Sequence, residues 1–472
     1  MRHATIPGRR GRTALAVLLV GSLVAAACSD DDDDGGGASD TGGATTGAPG
    51  TTGATGTSAA PGTTGAPGTT GATGTTGAPG TSAAPGDAGE AVTDYVAFTG
   101  ATPGAADTSM DPIAIGWVNA QGGTNEIPEA TEGAEAAVDY VNTELGGIGG
   151  HPIELHTCFI VEAEEEGQAC GQQLANDDDV SVIVFGAVVT GNESFYATLN
   201  AAKPVVIGVS ANPADNTAEN AYALYGTQTS VLGPWGTYAR DVLGAETAAI
   251  VYPSQAGANT AADATTAGLE AAGIEVTSVG YDPESTDLLA PLTAAGGQDA
   301  DVIVPMTDFN GCSNLFNALE QIGADQPVVS NPLCLSPVVA EALGGDLPQW
   351  TYGIAQSLPG DTSAPDSAVY LETSAAHGLD PASAGNPFAA LSWSLILTVA
   401  KFMNAAGPDD ITPETMTEQA QAFEGPLIMG APSVQCGYDP EQPAACNNQT
   451  KFYTYEGAGQ FVPASDWLRP PE

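Results

Sequence analysis

The sequence predicts an α/β protein built from two doubly wound, mostly parallel sheets. Three observations carry this. From Asp111 onward, short apolar runs alternate with helical patterns. Two of the runs, VSVIVFG at 180–186 and PVVIGVS at 204–210, are continuously apolar, as strands covered on both faces are. The alternation then restarts after Leu232, so the chain holds two such series. Strand–helix alternation implies right-handed crossovers, helices on both sides of each sheet, and hence two lobes.

The elements follow in order. Pro112 to Val118 reads as a strand, and Thr131 to Leu145 as a helix with Ala134, Val138, Val141 and Leu145 on one face. Ile153 to Cys158 is a short strand, Val180 to Gly186 a buried one, Ser194 to Ala202 a helix, and Pro204 to Ser210 another buried strand. The second series runs strand Thr247 to Tyr252, helix Thr260 to Ala272, strand Ile274 to Tyr281 and helix Leu288 to Ala295. It continues with strand Asp301 to Met306, helix Ser313 to Ile322 and strand Pro327 to Ser330. Ala389 to Met403 is apolar but carries Ser392, Ser394, Thr398 and Lys401, and reads as a core helix rather than a membrane span.

The first residues have a different character. Arg2, Arg9, Arg10 and Arg12 precede an apolar run from Ala14 to Leu23, then Val24-Ala25-Ala26-Ala27 and Cys28. This is the order of a secretory signal peptide with small residues at its cleavage site. A cysteine directly after them resembles a bacterial lipoprotein signal, which implies that Cys28 is lipidated and holds the protein at a membrane surface outside the cytoplasm. A plain signal peptide or a single membrane helix is the other reading, although the apolar core is short for a span of about 20 residues.

Residues 45–86 are seven six-residue units of the TTGAPG, TTGATG and TSAAPG type, without an aromatic, branched aliphatic or charged residue. Such a tract cannot bury enough apolar area to offset chain entropy, and reads as a disordered spacer. Glycine at every third position also matches part of the requirement for a collagen triple helix, interrupted at Ala59 and Ala83.

The chain has 57 acidic and 9 basic residues in 472. Beyond the leader the basic residues are Lys203, Arg240, Lys401, Lys451 and Arg469, so no nucleic-acid partner is expected. Six cysteines remain after Cys28, an even number in an exported chain, and 15 connectivities are possible. They fall into sequence-local pairs, which predicts Cys158–Cys170, Cys312–Cys334 and Cys436–Cys446. Metal-ligand spacing is absent, His151, His156 and His377 are scattered, and no cofactor is expected.

The segment Leu145-Gly-Gly-Ile-Gly-Gly-His-Pro-Ile-Glu-Leu155 lies between the first helix and the second strand. Gly311-Cys312 leads through Ile322-Gly323 to Pro327-Val-Val-Ser-Asn331 and Cys334, with a late Phe388 to Gly407 helix and a closing Cys436…Cys446 segment. In that order these features resemble the branched-chain amino-acid type of solute-binding protein, from about Asp111 to the C-terminus. The resemblance implies a type I periplasmic-binding-protein fold, with two lobes joined by a three-segment hinge that closes around a ligand. It places crossings near Tyr225–Thr229, Tyr352–Ser357 and Pro426–Cys436. The expected organisation is a signal peptide at 1–27, a linker at 28–108, lobe 1 at 109–228 plus 355–432, and lobe 2 at 229–354 plus 433–472. The implied role is the monomeric receptor of an ATP-driven (ABC) importer, with permease and ATPase subunits as partners.

In open α/β sheets, ligands sit beyond the carboxyl ends of the strands. Those loops carry Thr124, Thr190, Ser210 and Asn212 in the first lobe and Asp308 in the second. By the resemblance, Thr190, Ser210 and Asn212 lie where a ligand carboxylate is held, and Asp308 where an ammonium is faced; all four also suit helix capping. Amino-acid binders of this family usually have an acid where this chain reads Asn331-Pro332-Leu333 and often an aromatic near Ala256. No basic residue falls in these loops, so a multiply charged anion would lack a counter-ion. A zwitterion, a neutral amide or a cation fits better. No GxSxG, HExxH or P-loop pattern occurs, so the expectation is a non-catalytic receptor, with an exported hydrolase or a ligand sensor as alternatives.

Overall fold

The computed structural model describes residues 91–123 and 126–471. Cys28, the signal and repeat tracts, and Thr124 lie outside the described residues.

Five parallel strands form the first sheet: β1 (Ile113–Ala120), β2 (Ile153–Ile160), β3 (Val180–Val188), β4 (Val205–Ser210) and β5 (Ala221–Ala223). Their order is β2-β1-β3-β4-β5, so the winding reverses between β1 and β3. The runs read as doubly covered are so: every residue of β3 except Ser181 is buried, and β4 is buried from Val205 to Gly208. The second sheet comprises β6 (Thr247–Pro253), β7 (Glu275–Tyr281), β8 (Val302–Pro305), β9 (Val329–Ser330), β10 (Thr351–Ile354), β11 (Lys451–Gly457) and β12 (Gln460–Pro463). It is two hydrogen-bonded groups, β7-β6-β8 and β9-β10-β11-β12, bridged by Ile303 and Val328. Both pairings of β11 are antiparallel, which adds an antiparallel edge to an otherwise parallel sheet.

The helix Pro387–Ala406 is the spine of the first lobe. Fourteen of its residues are buried, so its apolar length belongs to a protein core. It packs on the helix Pro128–Thr143 so closely that a Cβ at Gly133 would lie 2.2 Å from the carbonyl oxygen of Ala389. The N-terminal boundary of this lobe differs from the expected 109. Asp94 caps a helix at Tyr95–Thr99, Tyr95 and Phe98 are buried, and Tyr95 packs on Tyr140 and Trp393. Lys401 donates to the Phe98 carbonyl at 2.9 Å and Asn404 to that of Thr99 at 3.1 Å, a cation at the negative end of that helix. Residues 91–108 therefore belong to the folded body, not to a linker.

The helix Glu164–Ala175, unread in the sequence, is ordered by its first turn. The Glu166 carboxylate accepts from the backbone N–H groups of Val161, Glu162 and Ala163 at 2.8, 2.9 and 3.0 Å. Those bonds hold its pKa below the usual value. All three sequence-local cysteine pairs are joined, with Cα–Cα distances of 5.5 Å for Cys158–Cys170 and 5.6 Å for Cys312–Cys334.

Three strands of chain pass between the sheets. The first follows β5, and the second follows β10, both where expected. The third does not lie at Pro426–Cys436. Leu427, Ile428, Met429 and Val434 are buried in the core of the first lobe, and Ala445 still bridges Ala223. The chain crosses instead at 447–450, because the segment holding Cys436 and Cys446 is fixed against β5. Side chains tie the crossings together. Ser230 Oγ donates to the Asn447 carbonyl at 2.7 Å, Asn447 Nδ2 to that of Tyr225 at 3.2 Å, and Thr450 Oγ1 to that of Val231 at 2.6 Å.

Candidate ligand-binding cleft

A cleft of about 180 Å³ opens where the crossings meet the carboxyl ends of the strands. β4 supplies its end, Gly208 to Ser210, and Ala211 follows. The first crossing supplies Tyr225 to Gln228, and the second Ile354 to Gln356. Asn331 to Leu333 enter from the loop after β9, and Phe388 and Leu391 from the start of the spine helix. Trp235, Met306 and Thr450 also belong to the wall. Residues of both sheets thus face each other across the cleft, and all three crossings contribute to its lining.

Its polar groups are mostly held by the protein. Ser210 Oγ accepts from the Gln228 N–H at 3.2 Å. Gln356 Nε2 donates to the Pro387 carbonyl at 2.7 Å, which fixes the start of the spine helix. Asn331 Oδ1 accepts from the Leu333 N–H at 2.9 Å, and its Nδ2 donates to the Thr307 carbonyl at 3.0 Å. Tyr225 lies against Ser394 and donates to the Ile428 carbonyl. Burial raises its phenol well above the ordinary value, so it stays neutral. Gln228 differs from these: its Oε1 is buried and has no hydrogen-bond partner. Trp235 is 2% exposed and stands against β10, where a Cβ at Gly353 would meet the indole at 2.8 Å.

The residues singled out from sequence are dispersed. Ser210 lines the cleft. Thr190 is half-buried just past the end of β3 and is not among the residues that line the cleft. Asn212 lines a neighbouring cavity of about 760 Å³, where Ala256 and Gly257 face the first lobe. Its Oδ1 accepts from the Ala214 N–H, and its Nδ2 donates to the Val189 carbonyl at 3.3 Å. Asp308 is exposed and caps the helix Phe309–Ile322, accepting from the Gly311 N–H at 2.8 Å.

Sequence reasoning missed Trp235, Phe388, Leu391 and Gln356 as cleft residues. Gln228 and Gln356 lay inside crossings already located, and that was the available signal. It missed Asp215 entirely. This carboxylate is fully buried and accepts from Asn192 Nδ2 at 2.8 Å, Tyr196 OH at 2.8 Å and the Asn212 N–H at 3.3 Å. Burial raises its pKa to about 6 against these bonds and one from Ser210. Among the described residues no group of His, Cys, Asp and Glu is arranged to hold a metal.

The profile of the periplasmic binding protein family matches residues 112–439. Among curated proteins none matches. Solved structures with the same fold include the branched-chain amino acid transporter substrate-binding protein LivJ of Streptococcus pneumoniae in complex with isoleucine. It is 18% identical, covers 76% of this chain and 100% of its own, and has a TM-score of 0.61. The leucine-binding protein LivK of Thermotoga maritima is 15% identical, covers 76% of this chain and 99% of its own, and has a TM-score of 0.60. A solute-binding protein of an ABC transporter from Rhodopseudomonas palustris HaA2, in complex with p-hydroxybenzoic acid, is 15% identical. It covers 77% of this chain and 98% of its own, with a TM-score of 0.63.

Proposed function

Since this chain belongs to the periplasmic binding protein family, we propose that it is the extracytoplasmic solute-binding receptor of an ABC import system. It takes a small amino-acid-like or amide-like solute between its two lobes and passes it to separate permease and ATPase subunits. The single observation that carries this reading is the position of the cleft. It lies between two wound sheets, at strand ends, and is walled by the crossings that would bend if the lobes moved. The cleft wall also lacks an acid–base pair: its one ionisable side chain is Tyr225, held neutral. That chemistry supports retention of a solute without turnover.

Attachment through a lipidated Cys28 and a spacer reaching the body near residue 91 belongs to the same proposal, as does action as a monomer. Ser210 is the sequence-derived residue best placed for solute contact. Thr190, Asn212, Asp308 and Thr124 remain proposals of the sequence alone.

A thermal-shift screen over amino acids, amides, polyamines and small acids tests the receptor reading. A solute at a hundredfold excess over its Kd adds about 2.7 kcal/mol to the stability of the folded state. No shift from any solute, or turnover of one, would count against the proposal. For the anchor, Cys28→Ser is expected to move the protein from the membrane to the soluble fraction; retention at the membrane would exclude lipidation at that residue.

A further inference from the structure

Resting on the receptor reading above, we infer that the solute is uncharged: a largely apolar molecule bearing a hydrogen-bond donor, such as an amide, rather than an amino acid, a carboxylate or an amine. The chain carries 57 acidic and 9 basic side chains, yet none of them lines the cleft. Its apolar lining includes Trp235, Met306, Leu333, Phe388 and Leu391. A charge moved from water into such surroundings without a partner is strongly disfavoured.

Backbone donors can replace a cation as the partner of a carboxylate, but four of those in the cleft are already occupied. The N–H of Gln228 is given to Ser210 Oγ, that of Thr227 to Ser230 Oγ, that of Leu333 to Asn331 Oδ1 and that of Phe388 to Asn386 Oδ1. In the loop after β4 the protein supplies its own carboxylate. Asp215 draws the donors of Asn192, Tyr196 and Asn212, so an anion arriving there would meet like charge.

An ammonium finds no carboxylate on this wall; Glu164, Glu193 and Glu219 line the neighbouring cavity instead. Asp308 faces solvent and caps its own helix. Asp215 sits behind the loop rather than on the cleft wall, and both its oxygens are hydrogen-bonded. What the lining does include is Gln228, whose Oε1 is buried and has no hydrogen-bond partner. A buried acceptor without a donor is costly, and a neutral N–H or O–H relieves that cost without bringing a charge.

The test uses the full mature chain and two series matched in shape. One is phenylacetamide, phenylacetate, phenylalanine and phenethylamine. The other is isovaleramide, isovalerate, leucine and isoamylamine. Titration calorimetry is expected to rank the amide at least about tenfold tighter than each charged member of its series. A carboxylate, amino acid or amine that binds as tightly as the amide overturns the inference and leaves the receptor reading standing. Silence from both series and from the broader solute screen overturns both. In Gln228→Leu the amide is expected to weaken by about tenfold, the loss of one buried hydrogen bond; an unchanged affinity overturns the donor requirement. Should that variant fail to fold, the wild-type ranking decides.

Discussion

Lys451 is the residue whose removal tests the account of the hinge most directly. It opens β11, just past the third crossing, and its Nζ donates to Asp361 Oδ2 at 2.6 Å and to Ser363 Oγ at 3.0 Å. Asp361 lies just beyond the second crossing, so this pair joins two of the three connections. The Lys451 side chain is 7% exposed and that of Asp361 0%. Tyr453 OH donates to the same carboxylate oxygen at 2.7 Å, and the Ser363 N–H and hydroxyl to the other at 2.8 and 2.6 Å. Lys451→Met keeps the apolar stem but leaves the carboxylate buried with neutral donors only. Breaking a buried pair on one side costs about 3–5 kcal/mol.

The pH dependence separates this from a simple packing loss. Burial raises the Asp361 carboxyl, but Lys451, Ser363 and Tyr453 together outweigh it and hold it below the usual carboxylate range. A lowered folded pKa contributes stability that is present above about pH 4 and is lost as pH falls through the folded value. The variant lacks that contribution, so its deficit is expected to be full at pH 7 and to narrow on acidification below about pH 4. Urea unfolding at a series of pH values, with the m-value checked for constancy, measures it. A deficit under about 1 kcal/mol at pH 7, the range of an exposed pair, would refute the reasoning. A deficit that does not change with pH would refute it too.

Three other outcomes are expected. Asp215 has a folded pKa of about 6, so the native state binds its proton more tightly than the unfolded chain, and stability falls as pH rises from about 4 to 6. Asp215→Asn should abolish that slope, up to about 3 kcal/mol across the window, as read from urea midpoints at pH 4.5 and 7.5; an unchanged slope would contradict it. Gly353→Ala puts a methyl group 2.8 Å from the Trp235 indole and from the Phe452 ring, and should cost about 1–3 kcal/mol and shrink the cleft, seen together as a lower Tm and weaker solute binding. Replacing Cys312 and Cys334 with serine opens a loop of 22 residues and should cost about 2–4 kcal/mol in thermal unfolding, whereas a Tm unchanged from wild type would show that the bridge does not constrain the unfolded chain.

The parts of this protein legible from its sequence are those set by contacts along the chain. The runs at 180–186 and 204–210 read as doubly covered strands because, Ser181 and Ser210 apart, they are apolar throughout. The helices between them show their buried face at a period of 3.6. Asp308, read as a ligand contact or a helix cap, stands at a helix start; that helix opens at Phe309, four residues before the Ser313 read from sequence. Local cysteine spacing gave the pairs, since short loops close most easily.

Only the folded chain decided the rest. β10 and β11 are short and mixed in polarity, and become strands through cross-strand partners about a hundred residues apart. The docking of residues 91–108 depends on Lys401 and Trp393, some three hundred residues away. The third crossing shifted because Ala445 bridges Ala223. The cleft itself is assembled from segments scattered between residues 208 and 450. Its lack of charge, and the burial of Asp215 behind it, follow from which side chains the two sheets turn toward each other. No local pattern encodes that choice, because burial is a property of the whole packed body.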